Sequence, residues 1–386
     1  MNNDLKKLLS AQFLTAMADN AILFVAVAMV MQGALEGDWY IPALQGCFLI
    51  AFVVLAPWVG TFADTTSKPR VLLLANIIKA TGALMMIAGV EPLIAYAVVG
   101  IGAATYSPAK YGILPELSDN ESSLMKSNSW IEGSTIVAIL LGTVVGAKIA
   151  DQSIFIALCF VLAMYLLSAL ITTFMSQLPA AHPKEKKGVL GSFKKTINTL
   201  MATPSIRFAT LGVSLFWASA VSLRLIIIVW APATLLLNSS EDISLLTLFI
   251  ALGIAIGALL APKLIPMHNL QRTRLAAYGL GLSVLALMMV DDLNAARGLL
   301  FIAGIFGGLF VVPINALLQD VGHKTVGSGH AVAVQHFFEN IAMLLATGLY
   351  TWAVAMEVDS TTSMLFLGTL ILLTTSIIAL KLPKTS

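Results

Sequence analysis

The residues with the most chemical potential in this sequence are polar and ionisable side chains standing inside apolar runs. Asp19 and Asn20 interrupt "AMADNAILF", Arg224 interrupts "SLRLIIIVW", Glu132 lies in "SWIEGST", Lys110 in "YSPAKYGIL", and Gln335, Glu339 and Asn340 in "QHFFENIAM". A charge at the centre of a membrane helix costs about 2.5–3.5 kcal/mol even on the lenient insertion scale, so it normally faces a cavity or a partner. Spacing groups several of them. Gln12, Thr15 and Asp19 fall at i, i+3 and i+7, while Gln335 with Glu339 and Asn128 with Glu132 fall at i, i+4, each set on one side of a helix. Two chemistries are open to such a set. Opposite charges can line a hollow that binds a polar ligand, with a desolvated carboxylate able to carry a proton. The same charges can instead lock a bundle as structural ion pairs.

Other chemistry finds little support. His323, His330 and His336 are close in sequence, but their spacing suits no metal site. There is no zinc-binding HExxH pattern, no phosphate-cradling loop and no Ser/His/Asp set within one span, so neither an enzyme nor a cofactor is expected. Cys47 and Cys159 lie far apart in apolar runs and read as two small buried hydrophobes rather than a disulfide.

The elements that must position these groups are membrane helices. Of 386 residues, 58% are hydrophobic and 11% charged, and the mean hydropathy is +0.91. That charge is too sparse to coat a water-facing surface, where about 25% is usual. The net charge of +2 says little about partners; no nucleic-acid partner is expected. Breaks at charges, prolines and glycines leave twelve apolar runs: 8–32, 40–63, 70–89, 92–114, 124–150, 153–177, 207–237, 243–264, 273–290, 296–319, 326–356 and 362–381. Each is predicted to be a helix, because backbone polar groups in hydrocarbon must be satisfied within the segment. Asp19 then lies about 16 Å into the first span at about 1.5 Å per residue. Lys6, Lys7 and the small residues of "AMA" imitate a secretory signal, but the apolar run continues through "AILFVAVAMVM", which makes this stretch a first span.

The one long break, "LPAAHPKEKKGVLGSFKKTINTLMATPSIR", divides the chain into residues 1–177, a linker at 178–206 and residues 207–386, with "FKKTINTLM" a candidate amphipathic helix. The expected architecture is all-α, twelve transmembrane helices in two six-helix bundles around a central cavity. Basic residues orient it. With the N-terminus in the cytoplasm, most of the 22 Lys and Arg fall on the inner side, among them Lys68, Arg70, Lys186, Lys187, Lys194, Lys195, Arg272, Arg274, Lys324 and Lys384. Outer loops carry Glu36, Asp38, Glu91, Glu241, Asp242, Glu357 and Asp359; the acidic loop "PELSDNESSLMK" is a local exception on the inside. Both termini are therefore expected to be cytoplasmic.

The halves echo one another. "GAATYSPAKYGIL" parallels "GLFVVPINALLQ", pairing Pro108 with Pro313 and Lys110 with Asn315; Asn128 and Glu132 correspond to Gln335 and Glu339; Asp19 and Arg224 fall within a few positions of each other. Parallel repeats of this kind place a binding site between them. Polarity is expected to concentrate in spans one, four, five, seven, ten and eleven. Glycines four apart, at Gly142 and Gly146, Gly253 and Gly257, and Gly304 and Gly308, suit close helix packing, and Pro108 and Pro313 suit bends.

"GTFADTTSKPR", Gly60 to Arg70, resembles the loop signature of the major facilitator superfamily: Gly, three residues, Asp, then a basic cluster. Gly60, Asp64, Lys68 and Arg70 fit; Thr65 stands where a basic residue is usual and Ser67 where a glycine is. An aspartate at a helix end with basic residues across the loop can latch the inner mouth. "DNAILF", "YSPAKYGIL", "FVVPINALLQ" and "VGSGHAVAVQHFFEN" are similar to the lysophospholipid transporter branch of that superfamily, over nearly the whole chain. The resemblance implies a monomeric multi-pass protein of a bacterial inner membrane. It would take up lysophosphatidylethanolamine and related lysolipids from the outer leaflet, ahead of a re-acylating enzyme. A zwitterionic head group needs both signs of charge: Arg224 for the phosphate through parallel N–H contacts, Lys110 assisting, Asp19 or Glu339 for the ammonium, with Asn20, Gln335 and Asn340 around the glycerol and Glu132 lining the same site. The rival readings are a proton-coupled transporter of a soluble organic ion and a scaffold whose charges are only structural.

Overall fold

The computed structural model describes residues 3–32, 40–176, 188–237 and 240–380. Glu36, Asp38, Lys186, Lys187 and Lys384 lie outside them, as do the side chains of Glu241 and Asp242. Among the described residues the chain is helical and contains no strand. The helices are α1 (Asn3–Gln32), α2 (Tyr40–Thr65), α3 (Lys68–Ile87), α4 (Pro92–Gly112), α5 (Glu121–Gln152), α6 (Ile154–Thr173), α7 (Val189–Ala202), α8 (Pro204–Leu235), α9 (Ser240–Leu264), α10 (Thr273–Leu287), α11 (Leu293–Thr325), α12 (Ser328–Ala355) and α13 (Ser360–Leu380). Eleven are long and apolar enough to cross a bilayer. With the 15-residue α10, which stands where the ninth apolar run was expected, they account for the twelve runs. α7 covers "FKKTINTL" and buries Phe193, Thr196 and Leu200, one stripe at i, i+3 and i+7, as an amphipathic helix should.

Local chemistry sets the helix ends. The Glu91 carboxylate accepts from the Ile94 amide at 2.9 Å and Pro92 opens α4, an acidic N-cap followed by proline at N1. Asp359 accepts from the amide and hydroxyl of Thr362 at the start of α13, which holds its carboxyl below the ordinary value. Gly327, at φ 97, makes the left-handed break between α11 and α12 that a side chain would resist. It leaves the amides of Gly329 and His330 as the first donors of α12, unpaired within the helix.

The chain forms two compact units: residues 1–119, 137–200 and 319–340, and residues 120–136, 201–318 and 341–386. In the first, α3 packs on α4 and α6, α1 on α6 and α2 on α4, around a core that includes Ile22, Val25, Leu72, Val99, Val161 and Tyr165. In the second, α13 packs on α8 and α10, around Ile226, Ile227, Trp230, Leu287, Leu300 and Met364. α9 and α11 approach closely in it. A Cβ on Gly257 would stand 2.1 Å from the Ile305 carbonyl oxygen, and one on Gly308 would stand 2.2 Å from that of Ile254. The glycine pairs on the two helices thus interlock backbone to backbone. In the first unit Gly142 and Gly146 of α5 do the same against Met17 and Ala21 of α1.

Candidate functional site

Asp19 does not stand alone in α1. Lys79 of α3 donates to its Oδ2 at 2.7 Å and the Tyr165 hydroxyl of α6 donates to its Oδ1 at 2.8 Å. The same ammonium reaches Thr15 Oγ1 at 3.2 Å and lies 4.8 Å from the centre of the Tyr106 ring, where the face of the π-system attracts a cation. One turn away, Thr15 donates to Asn76 Oδ1 at 2.8 Å, Asn76 Nδ2 donates to Ser168 Oγ at 2.9 Å, and Ser168 donates to the Ala11 carbonyl. Helical spacing builds this ladder: Thr15 and Asp19, Asn76 and Lys79, and Tyr165 and Ser168 each sit one turn apart on α1, α3 and α6. Lys79 is 1% exposed and Asp19 20%, so the lysine closes the carboxylate from behind and leaves it a partly open edge.

This corrects the sequence reading of where polarity lies. Span three was not counted among the polar spans, yet its Lys79 is the partner of Asp19. The signal was available: "NIIKATG" places a lysine mid-run, and the rule that exposed Asp19 applies equally to it. Asn20 lies beside the ladder, with its amide donating to the Ala16 carbonyl of its own helix at 2.8 Å.

A second cluster forms where α12 meets α2 and α4. Glu339 is 3% exposed and His336 15%. Gln335 donates to Glu339 Oε1 at 2.5 Å, and His336 Nδ1 lies 2.8 Å from Glu339 Oε2. Both carboxylate oxygens thus have a partner within hydrogen-bond distance. The other imidazole nitrogen, Nε2, lies 2.8 Å from Ser107 Oγ of α4. The ring touches Phe52 and Tyr111, and the Lys110 ammonium sits 3.9 Å from the centre of the Tyr111 ring. Asn340 donates to the His336 carbonyl at 2.7 Å. Lys110, Gln335, Glu339 and Asn340 are thus brought together, through a histidine that sequence reasoning had set aside.

The loop signature occupies a third position in the same unit. Asp64, fully buried, accepts from the amides of Gly329 and His330, both at 2.8 Å, and so caps α12 from another helix. Its charge complements the positive end of the helix dipole. His330 Nδ1 lies 2.6 Å from Asp64 Oδ2 and its Nε2 lies 3.2 Å from Thr61 Oγ1. Lys68 stands 4.0 Å from Asp64 and pairs with Glu116. Close fit explains the glycine of the signature: a Cβ on Gly60 would lie 2.9 Å from that of Ala333. Arg70 is exposed.

In the second unit, Glu132 Oε1 accepts from Asn315 Nδ2 at 3.2 Å. Arg224 is exposed on α8 and, among the described residues, makes no ion pair. An apolar cavity lined by Phe216, Leu223, Ile254 and Ile371 holds about 30 Å³, room for a water rather than an acyl chain. No group of three or more His, Cys, Asp or Glu among the described residues is placed to hold a metal ion.

Comparison with known proteins agrees with this architecture. The sequence profile of the Major Facilitator Superfamily matches residues 8–347. Lysophospholipid transporter LplT of Photorhabdus laumondii is 40% identical over 377 residues, 97% of this chain and 94% of that protein. LplT of Klebsiella pneumoniae is 42% identical over 351 residues, covering 90% and 88%. In fold, the chain is similar to the Escherichia coli fucose:proton symporter FucP, with a TM-score of 0.78 at 14% identity over 98% of both chains. The human organic anion transporter MFSD10 gives a TM-score of 0.78 at 15% identity over 98% and 100%. A helical membrane protein with a buried aspartate capping a neighbouring helix, matched from end to end by such relatives, belongs to the major facilitator superfamily and, within it, to the lysophospholipid transporter family.

Proposed function

We propose that this protein moves lysophospholipids, lysophosphatidylethanolamine among them, from the outer to the inner leaflet of a bacterial inner membrane. It does so by alternating access between two six-helix bundles, residues 1–177 and 207–386, with both termini cytoplasmic. The observation that carries this reading is the two LplT relatives, at 40% and 42% identity over nearly the full chain. The side chains fit the substrate. A lysolipid head group brings a phosphate and an ammonium into a dry site, and each needs a counter-charge. Arg224, which makes no ion pair among the described residues, offers a guanidinium for the phosphate, and Lys110 is a second cation. In the first unit Glu339 supplies the carboxylate for the ammonium, flanked by Gln335 and Asn340, with Asp19 and Asn20 as further polar residues; in the second, Glu132 is the further polar residue. Asp19 joins them as half of an ion pair, so its role is to shape the site's field rather than to offer a bare charge. Asp64 and the start of α12 act as the inner latch. The protein works as a monomer, and a lysolipid acyltransferase consumes what it delivers.

Vesicles carrying the protein, supplied with labelled lysophosphatidylethanolamine, test this. Wild type is expected to move the lipid, and Arg224→Ala and Asp19→Ala to move it at least about tenfold more slowly, as loss of a charge-assisted contact implies. Equal movement in all three removes the site; no movement in any removes the function. One observation favours a second reading, a proton-coupled carrier of a soluble organic ion: two imidazoles rest against buried carboxylates, at His330 and His336. Accumulation of such an ion driven by a pH gradient, with no lysolipid movement, would select it.

A further inference from the structure

His336 has no place in the head-group reading, yet it is the more exposed member of the cluster that holds Glu339. Its two nitrogens are bonded to groups of different kinds. Nδ1 faces Glu339 Oε2 at 2.8 Å; against an ionised carboxylate, which only accepts, this nitrogen carries its hydrogen whether the ring is neutral or charged. Nε2 faces Ser107 Oγ at 2.8 Å, and a hydroxyl can either donate or accept. With the imidazole neutral, Ser107 donates to Nε2; with it charged, Nε2–H donates to Ser107. No hydrogen bond is lost on gaining or releasing the proton. What changes is charge alone: Glu339 with a neutral imidazole carries one net negative charge, and with an imidazolium it carries none.

We propose that His336 is a specificity-determining residue that sets the net charge of the Glu339 wall, and thereby how strongly an ammonium-bearing lysolipid is preferred over an anionic one. This rests on the lysolipid reading above. A neutral imidazole favours the zwitterionic head group; an imidazolium removes the charge that draws its ammonium and makes an anionic head group the better match. From α2 the ring meets Phe52, which carries no charge. From α4 it meets Ser107 and Tyr111, with the Lys110 ammonium against the Tyr111 ring. On α12 itself it meets Glu339. Lys110 opposes a second positive charge here and Glu339 invites one.

The test measures labelled lysophosphatidylethanolamine and lysophosphatidylglycerol in the same vesicles carrying the full chain, between about pH 8 and about pH 5.5, the window in which an imidazole ordinarily changes charge. Neither lipid titrates there, and any effect of the His330 latch on the transport cycle cancels in the ratio of the two rates. In wild type the ethanolamine-to-glycerol ratio is expected to fall about tenfold on acidification, the worth of one charge-assisted contact. In His336→Asn and His336→Gln the ratio is expected to be flat, while in His330→Asn it keeps the wild-type slope. A wild-type ratio that does not move with pH overturns the proposal, and so does a slope that survives in either His336 variant or vanishes in His330→Asn. Absence of transport of both lipids by wild type at every pH would instead defeat the lysolipid reading itself.

Discussion

Asp19 and Glu339 are both carboxylates placed inside apolar helices, and both already have a basic neighbour, at 2.7 Å and 2.8 Å. The neighbours differ in kind. Lys79 is a lysine sealed between α1, α3 and α6, ringed by Tyr106 and Tyr165. His336 is a histidine, partly exposed, with a serine hydroxyl on its far nitrogen. The first arrangement fixes a charge pattern and ties three helices together. The second leaves a charge that can be switched. Counting intramembrane charges therefore says where energy has been invested, while only the partner says whether a group is a strut or a responsive surface.

The largest expected effect separates these roles. Lys79→Ala leaves Asp19 as an uncompensated charge among apolar helices, and loss of one partner of a buried pair costs about 3–5 kcal/mol. Because Asp19 keeps a partly open edge, the lower end is expected, read as a drop in thermal midpoint in detergent. The double change Asp19→Asn with Lys79→Met should recover most of that stability, since a neutral pair of similar volume avoids the buried charge. If the single and double changes unfold alike, Asp19 and Lys79 are not energetically coupled. Glu339→Gln is expected to do the reverse: a stability loss of about 1 kcal/mol, because an amide keeps one acceptor, but at least about a tenfold loss of lysophosphatidylethanolamine transport. A larger stability loss than that of Lys79→Ala would show Glu339 to be the strut.

Asp64 lies between the two cases. It meets both an imidazole and a lysine, but its main partners are the Gly329 and His330 amides at the start of α12. Asp64→Asn keeps one acceptor oxygen and loses the charge facing the helix dipole, a loss of about 1–2 kcal/mol by capping and dipole magnitudes. Thermal unfolding of the variant measures it. A change below about 0.5 kcal/mol would mean the cap contributes through geometry alone.

Much of this was legible from residue types. The apolar runs foretold the helices to within a few residues, since a bilayer permits little else. α11 was the largest departure, running on through 320–325, because a helix need not stop where its apolar run does. The loop signature, the amphipathic α7 and the interlocking glycines were readable because each is a local pattern with a single physical cause. Pairing was not readable. Nothing in "ADN" or "IIKATG" says that residues 60 positions apart share a proton-sized gap, and repeat symmetry drew attention to Arg224 instead. His336 was hidden for a related reason: as a metal ligand its spacing fails, and its actual bonds to Ser107 and Glu339 join residues 229 positions apart in one direction and a single turn away in the other.

The smallest expected effect is the sharpest test of the switchable member. Ser107→Ala removes the one partner of His336 that serves both charge states. A neutral imidazole would lose the hydrogen bond that Nε2 accepts, whereas an imidazolium would be left with an N–H donor and no protein acceptor, and the cost of an orphaned charged donor exceeds that of an orphaned neutral acceptor. The charged form is thus the more destabilised, and more acid is needed to reach it. The fall in the ethanolamine-to-glycerol ratio should therefore remain but move to lower pH, by less than about one unit since a single hydrogen bond separates the two forms. Transport of both lipids near about pH 8, where an imidazole is ordinarily neutral, should change little. A midpoint that stays where it was, or moves upward, would show that the hydroxyl does not distinguish the two forms and that the serine only fills space beside the ring.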